Sequence, residues 1–219
     1  PRRAELRRLA EGARRVLHGL VSIDADVTEL RETADRLDAL AARFDTTAER
    51  SMYEGFAEAA NSGDPHAHFD HSPLIGLSNP LAPPIRLRIE DERTMVGTAT
   101  FGAGYEGPPG CVHGGFVAAA FDEVLGAAQS LGGKPGMTGR LTVNYRSPTP
   151  LHEELTITGR FDRADGRKIF TTGTIHAGDR LCAEAEGLFI SIDFERFASL
   201  KQAREAQRAA RAARRDAST

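Results

Sequence analysis

Gly107-Pro108-Pro109-Gly110-Cys111-Val112-His113-Gly114-Gly115 runs straight into Phe116-Val117-Ala118-Ala119-Ala120-Phe121-Asp122-Glu123-Val124-Leu125-Gly126-Ala127-Ala128-Gln129. Pro and Gly hold the approach in a turn. Phe116, Val117, Ala120, Phe121, Val124, Leu125 and Ala128 then recur at helical spacing over a surface too wide for a helix on the outside of a domain. The pattern predicts a buried helix, and Asp122 lies inside it. Gly115, Ala118, Ala119 and Gly126 share its stripe and leave room for another backbone or a thin ligand. The bare N–H groups of the first turn have no intrahelical partners and suit developing negative charge. Burial raises a carboxyl pKa and hydrogen-bond donors lower it, the tuning that a base or nucleophile needs. A Gly-Gly pair alone reads as a tight turn, and a lone carboxylate as a satisfied polar residue at a subunit contact. A His at the helix start with one carboxylate nine positions later favours a site.

Segments of alternating character surround this helix. Leu141, Val143 and Tyr145 alternate with Thr142, Asn144 and Arg146; Leu155, Ile157 and Phe161 follow, then Ile169 to Ile175 and Leu181 to Ile192. Turn signals separate them at Ser147-Pro148-Thr149-Pro150, Asp165-Gly166 and Ala177-Gly178-Asp179. Ahead of the helix, Ile85, Leu87 and Ile89 alternate with Arg86 and Arg88, and Met95 to Phe101 reads as a partner strand across Glu90-Asp91-Glu92. One helix among about six strands implies an α+β fold, an antiparallel sheet wrapped around a central helix.

That order of elements, with His113-Gly114-Gly115 and Asp122, resembles the hotdog-fold acyl-CoA thioesterases, in particular the phenylacetate-pathway-like branch that includes the human thioesterase superfamily members. Tyr105-Glu106-Gly107-Pro108-Pro109-Gly110 is similar to the Gly-rich run before the helix in that branch, and Met137-Thr138 to the start of the strand after it. Asn144-Tyr145-Arg146 with Pro148 and Pro150, and the later turn Gly166-Arg167-Lys168, are similar too. The resemblance spans roughly residues 85 to 193. It implies hydrolysis of an acyl-CoA to free acid and CoA, in a homodimer or dimer of dimers with shared active sites. Carried over, Asp122 is the general base or nucleophile, the Gly114 N–H polarises the thioester carbonyl and His113 orients the loop. Thr138 positions the attacking water or the carboxylate, reaching in from the neighbouring subunit. Gly115, Asn144, Arg146, Arg167 and Lys168 match substrate-facing positions, the last four near the CoA moiety.

The chemistry is consistent with those roles. A thioester needs one donor on its carbonyl oxygen and one carboxylate to activate water, and its thiolate leaves readily. A donor at the forming oxyanion is worth on the order of 3 kcal/mol, and general-base work about two to four powers of ten in rate. No metal is required, and no cofactor is expected beyond the CoA of the substrate. Arg and Lys near a CoA channel would attract its phosphates. Asn144 and Arg146 also read simply as the polar face of a strand, and Arg167-Lys168 as its polar start. Glu123 is the competing carboxylate, but its side chain should point about 100° away from Asp122. A non-catalytic or weakly active hotdog module that binds acyl-CoA or regulates is the competing reading of the chain; Asp122, Gly114 and Thr138 together favour the enzyme.

The 219 residues, 40% of them hydrophobic, can bury a sizeable core, and a net charge of -3 argues against a general nucleic-acid surface. Two cysteines, Cys111 and Cys182, are too few for a disulfide framework and fit a reducing, cytoplasmic setting. No apolar run is long enough for a membrane span, and Pro1 to Arg15 lacks the apolar core of a secretory signal. The expected organisation is an N-terminal helical extension over residues 1–60, a Pro/His-rich loop over 61–84, the hotdog domain over 85–194 and a basic C-terminal helix over 195–219. In the extension, Leu6, Leu9, Ala13, Val16, Leu17 and Leu20 form one stripe, and Leu30, Ala34, Leu37, Ala41 and Phe44 another. Both would cover the sheet or extend a dimer. His66, His68 and His71 stand near Asp64 and Asp70, yet their spacing fits no zinc pattern.

Overall fold

A computed structural model of the chain describes residues 2–47, 69–134 and 136–191. Along the chain come α1 (Arg2–Leu20), α2 (Val27–Asp45), β1 (Arg86–Ile89), β2 (Thr94–Thr100), a 3-10 turn (Ala103–Tyr105), α3 (Gly114–Ser130), β3 (Gly136–Tyr145), β4 (Glu154–Asp165), β5 (Lys168–Ala177) and β6 (Arg180–Ser191). The strands form one sheet in the order β1-β2-β4-β5-β6-β3, antiparallel throughout. Tight hairpins join β4 to β5 and β5 to β6, with Gly166 and Gly178 at φ 57° and 55°, where a side chain would be strained. Among the described residues β3 pairs only with β6, so the strand that follows the helix is an edge of this sheet.

The predicted buried helix is α3, one residue longer at its C-terminus and two at its N-terminus than the apolar pattern suggests. Phe121, Val124 and Leu125 are fully buried against the inward residues Leu155, Ile157, Ile169, Ile175 and Phe189. Each such side chain contributes roughly 1.5–3 kcal/mol on leaving water. The sheet approaches so closely because four glycines face the helix. A Cβ on Gly159 would stand 2.9 Å from the Val124 carbonyl oxygen, and one on Gly173 2.9 Å from Leu125 Cδ2. On Gly97 and Gly187 it would lie 3.2 Å from Val124 Cγ2 and 3.3 Å from Leu125 Cδ1. This is the predicted α+β hotdog arrangement. Ile89 departs from the expected alternation: it is 55% exposed at the end of β1, at the sheet edge.

Both predicted N-terminal helices form, and Asp26 caps α2 by accepting the Thr28 and Glu29 N–H groups at 2.8 and 3.0 Å. Neither covers the sheet by its apolar stripe. α1 docks by a neighbouring edge: buried Arg14 donates to the carbonyls of Leu77 (2.6 Å) and Ala82 (3.1 Å) and pairs with Glu11 at 2.5 Å. Arg3 and Arg7 both grip buried Asp70. Charge-assisted bonds to otherwise unmet carbonyls outweigh burial of the leucine stripe as the docking force. α2 buries no residue. The expected C-terminal helix, and His66 and His68 of the expected loop, lie outside the described residues. No described helix is long and apolar enough to cross a membrane.

Candidate active site

The start of α3 is fixed from three sides. His113 caps the helix, its Nδ1 accepting the Gly115 N–H at 3.0 Å, while its own N–H donates to the Tyr105 carbonyl at 2.8 Å. His113 thus ties the helix start to the approach loop. Tyr105 is buried edge-on to His18, Phe101 and Phe116, and burial pushes its phenol up to about 12. The approach is tied down by Gly107 N–H to the Cys111 carbonyl, Val112 N–H to the Thr149 carbonyl and Gly110 N–H to the Glu106 carboxylate. Tyr145, at the end of β3, donates its hydroxyl to the Gly114 carbonyl at 2.8 Å.

These bonds single out one amide. The Gly115 N–H is used by His113, whereas the Gly114 N–H meets no acceptor among the described residues. It is the free donor at the positive end of a helix of 17 residues.

Two turns along α3, half-buried Asp122 accepts a 2.7 Å hydrogen bond from the Thr138 hydroxyl. Thr138 pairs with Phe189, an inward position, just before the register shift between Thr138 and Arg140. That hydrogen bond corrects the expectation that Thr138 reaches in from a neighbouring subunit. β3 follows α3 after a short connection and runs back beside it, so threonine and carboxylate come from one chain. Glu123 points elsewhere, as the helix geometry demands, towards Ser72 Oγ at 3.5 Å. Burial first, and the adjacent Asp122 charge second, push the Glu123 carboxyl up to about 7.

The other expected substrate contacts are spread over the surface. Asn144 pairs with Glu184 on the sheet face away from α3, and Arg146 is held by the Glu184 carboxylate at 2.7 Å. Together with Arg160, Thr172 and Glu186 they line an outward cavity of about 410 Å³. The fold does not bring them to Asp122 within one chain. Arg167 and Lys168 occupy the β4–β5 turn, where Lys168 pairs with Ile190, which in turn pairs with Met137 beside Thr138. That puts the turn roughly 10 Å from the start of β3, two strand spacings away. Cys111 is half-buried and unpaired, and Cys182 is buried. Among the described residues no group of His, Cys, Asp and Glu could hold a metal ion.

The clamp of Tyr145 on the helix start is not legible in the sequence: alternation puts Tyr145 on the same strand face as Leu141 and Val143, and nothing there names the Gly114 carbonyl as its partner.

A solved structure of a thioesterase superfamily protein superposes on this chain with a TM-score of 0.71 and 39% identity, covering 84% of this chain and 94% of that one. The chain belongs to the thioesterase superfamily. The superfamily's sequence profile matches residues 109–184, from the approach loop into the first half of β6. Among thioesterase relatives, the acyl-coenzyme A thioesterase THEM4 of Bos taurus is 36% identical over 108 residues, 48% of this chain and 44% of the relative. THEM4 of Xenopus laevis is 39% identical over 103 residues, 46% of each. The chain thus spans about half the length of these relatives.

Proposed function

We propose that this thioesterase superfamily chain hydrolyses acyl-CoA thioesters to the free acid and CoA. The observation that carries the reading is the 2.7 Å Thr138–Asp122 bond, which fixes a carboxylate on the same helix whose first amide is an open donor. The acyl-CoA names of the THEM4 relatives support the substrate class.

The helix also dictates how the parts combine. Gly114 and Asp122 are eight residues apart, about 12 Å along the axis at 1.5 Å per residue. An attacking oxygen, a carbonyl and its donor together span roughly 7 Å, and a water held by the carboxylate adds about 3 Å, still short of that separation. One copy therefore supplies Asp122 and Thr138, and a second copy the Gly114 N–H held by His113 and Tyr145. A homodimer with two such shared sites is the smallest assembly that works. The unpaired edge of β3 supports it, because it leaves a ladder of backbone donors and acceptors open for a second β3.

In the reaction, Asp122 either takes a proton from water or attacks the carbonyl directly, with Thr138 fixing the orientation of its carboxylate. Charge on the carbonyl oxygen develops against the Gly114 N–H, and the tetrahedral species collapses with loss of the CoA thiolate. Both routes consume one water and yield acid and thiol. Arg167 and Lys168, in the turn near the start of β3, would meet CoA phosphates; Arg146, already held by Glu184, is a weaker candidate. The unpaired cysteines support a reducing, cytoplasmic setting.

The test is thiol release from short, medium, long and aromatic acyl-CoAs by the native chain and by Asp122→Ala and Asp122→Asn. Turnover of at least one class is expected, with losses of a hundredfold or more in both variants. Absence of release from every class overturns the enzyme reading; full rates in both variants overturn the role of Asp122.

A further inference from the structure

The last turn of α1 carries His18 to the entrance of the candidate site. The side chain is half-buried over the 3-10 turn that precedes the approach loop, and its Nδ1 accepts the Gly104 N–H at 2.9 Å. Two missing side chains make the seat. A Cβ on Gly102 would stand 3.0 Å from His18 Cε1, and one on Gly104 2.9 Å from Nδ1. The slot stays open only because both positions are glycine, and it joins residues 86 apart in sequence.

Two routes lead from His18 to the start of α3. Through the backbone, Gly104 precedes Tyr105, the Tyr105 carbonyl accepts the His113 N–H at 2.8 Å, and His113 is bonded to Gly114. The turn between them is closed by the Tyr105 and Glu106 N–H groups, which donate to the Gly102 and Ala103 carbonyls at 3.0 and 3.1 Å. Through the side chains, the His18 ring meets the buried Tyr105 ring edge-on at 5.3 Å, and Tyr105 meets Phe116, in the first turn of α3, at 4.9 Å. α1 itself is anchored independently, by Arg14 on the Leu77 and Ala82 carbonyls and by Arg3 and Arg7 on Asp70.

We propose that His18 is a positioning residue for the oxyanion donor: by accepting the Gly104 N–H it fixes the Tyr105 carbonyl, and through it the His113–Gly114 peptide. The N-terminal helix α1 is then a brace for the site rather than a cover for the sheet. The inference rests on the reading of the Gly114 N–H as the donor to the thioester carbonyl oxygen. It carries a charge dependence, because an imidazolium has no lone pair left for the Gly104 N–H. Glu11 and Arg14 on α1, His152 after β3 and the Tyr105 phenol are the titratable and charged groups around His18. Burial above all holds the imidazole below its usual pKa, with Glu11 opposing and His152 and Arg14 adding to it, so the acceptor persists through neutral pH.

The test compares two variants of the full chain. His18→Phe keeps a ring but turns a C–H toward Gly104, whereas His18→Asn puts its Oδ1 in the place of Nδ1. Amide hydrogen exchange at Tyr105 and His113 should quicken at least about tenfold in His18→Phe and stay within about threefold of native in His18→Asn. With an acyl-CoA that the native chain hydrolyses, kcat at pH 8 should fall at least about tenfold in His18→Phe, with KM changed less than about twofold, and stay within about threefold in His18→Asn. From pH 8 to pH 4.5 the native kcat should drop at least about threefold relative to that of His18→Asn, because Asp122 and His113 titrate in both and only the native chain loses its acceptor. Native-like exchange in His18→Phe overturns the inference whether or not any thioester is turned over. Faster exchange with unchanged kcat overturns the link to the donor. Equal losses in both variants, or a flat ratio across the pH range, overturn the role of Nδ1 and leave ring packing in its place. Absence of thiol release from every acyl-CoA by the native chain fails the hydrolysis reading alone, and the exchange result separates that outcome from a failure at His18.

Discussion

Replacing Gly114 by Pro exchanges the amide hydrogen for a ring CH2, which removes the donor and fills the seat of the carbonyl oxygen, and leaves the fold nearly untouched. The Gly114 amide is at the first helical position, where no intrahelical acceptor exists and Pro is favoured. His113, at φ -58° and ψ 131°, already has the extended conformation that a following Pro imposes. A Cβ at position 114 would lie 3.3 Å from the Tyr145 hydroxyl and 3.4 Å from its ring, a contact that an exposed side chain absorbs by shifting a few tenths of an ångström. Stability should change by about 1 kcal/mol or less, or roughly 2–4 °C in Tm. The catalytic loss is at least that of an oxyanion donor, about 3 kcal/mol, or two to three powers of ten in kcat, because the ring also crowds the carbonyl oxygen. Thiol release under saturating acyl-CoA, beside a thermal melt, separates the two effects. A folded variant with kcat within threefold of the native value would refute the assignment of the donor to this amide.

Glu123 gives a pH signature. A carboxyl raised from 4.5 to about 7 is stabilising in its neutral form, so its contribution is complete below pH 4.5 and is lost as pH rises through 7. The gap corresponds to at most about 3 kcal/mol, and partial solvent access reduces it to about 2. Glu123→Gln should therefore be more stable than the native chain at pH 8 and equal to it at pH 4.5, as read by urea unfolding; equal stability at both would sink the idea. Arg14→Met leaves the Leu77 and Ala82 carbonyls without their donor and should cost about 3 kcal/mol; a loss below 0.5 would mean α1 is held by something else. Finally, equal amounts of Asp122→Asn and Gly114→Pro, allowed to exchange subunits, should recover about a quarter of native activity. Half the pairs are then mixed, and each mixed pair rebuilds one intact site of two. No recovery despite demonstrated exchange would contradict the shared site.

The central helix and its strands were legible because burial on one side leaves a period in the sequence, and Gly166 and Gly178 announce their hairpins by conformational need. Asp122, His113 and Gly114 were legible as a carboxylate within a buried helix and the capped entry to that helix. The origin of Thr138 was not: motif and spacing say that a threonine belongs near the carboxylate, but only the return path of β3 decides which chain brings it. Arg14 was hidden for a related reason. An arginine reads as surface, and its burial here depends on two carbonyls 63 and 68 residues away in sequence. The α1 stripe was visible while its orientation was not, since a helical moment records which residues share a face and nothing about what that face meets.

The four glycines under α3 have a consequence beyond close packing. Val124 and Leu125, the residues they admit, follow Asp122 by two and three positions on the same rigid helix. The height and roll of the carboxylate are thus set by absent side chains on β2, β4, β5 and β6, none of which need touch the substrate. One methyl group added at Gly159 would press on the Val124 carbonyl from 2.9 Å and tip the whole rod. The sheet floor serves as the datum against which the Asp122 carboxylate is aligned, so a harmless-looking alanine in a strand would displace the proposed base without altering a single residue of the site.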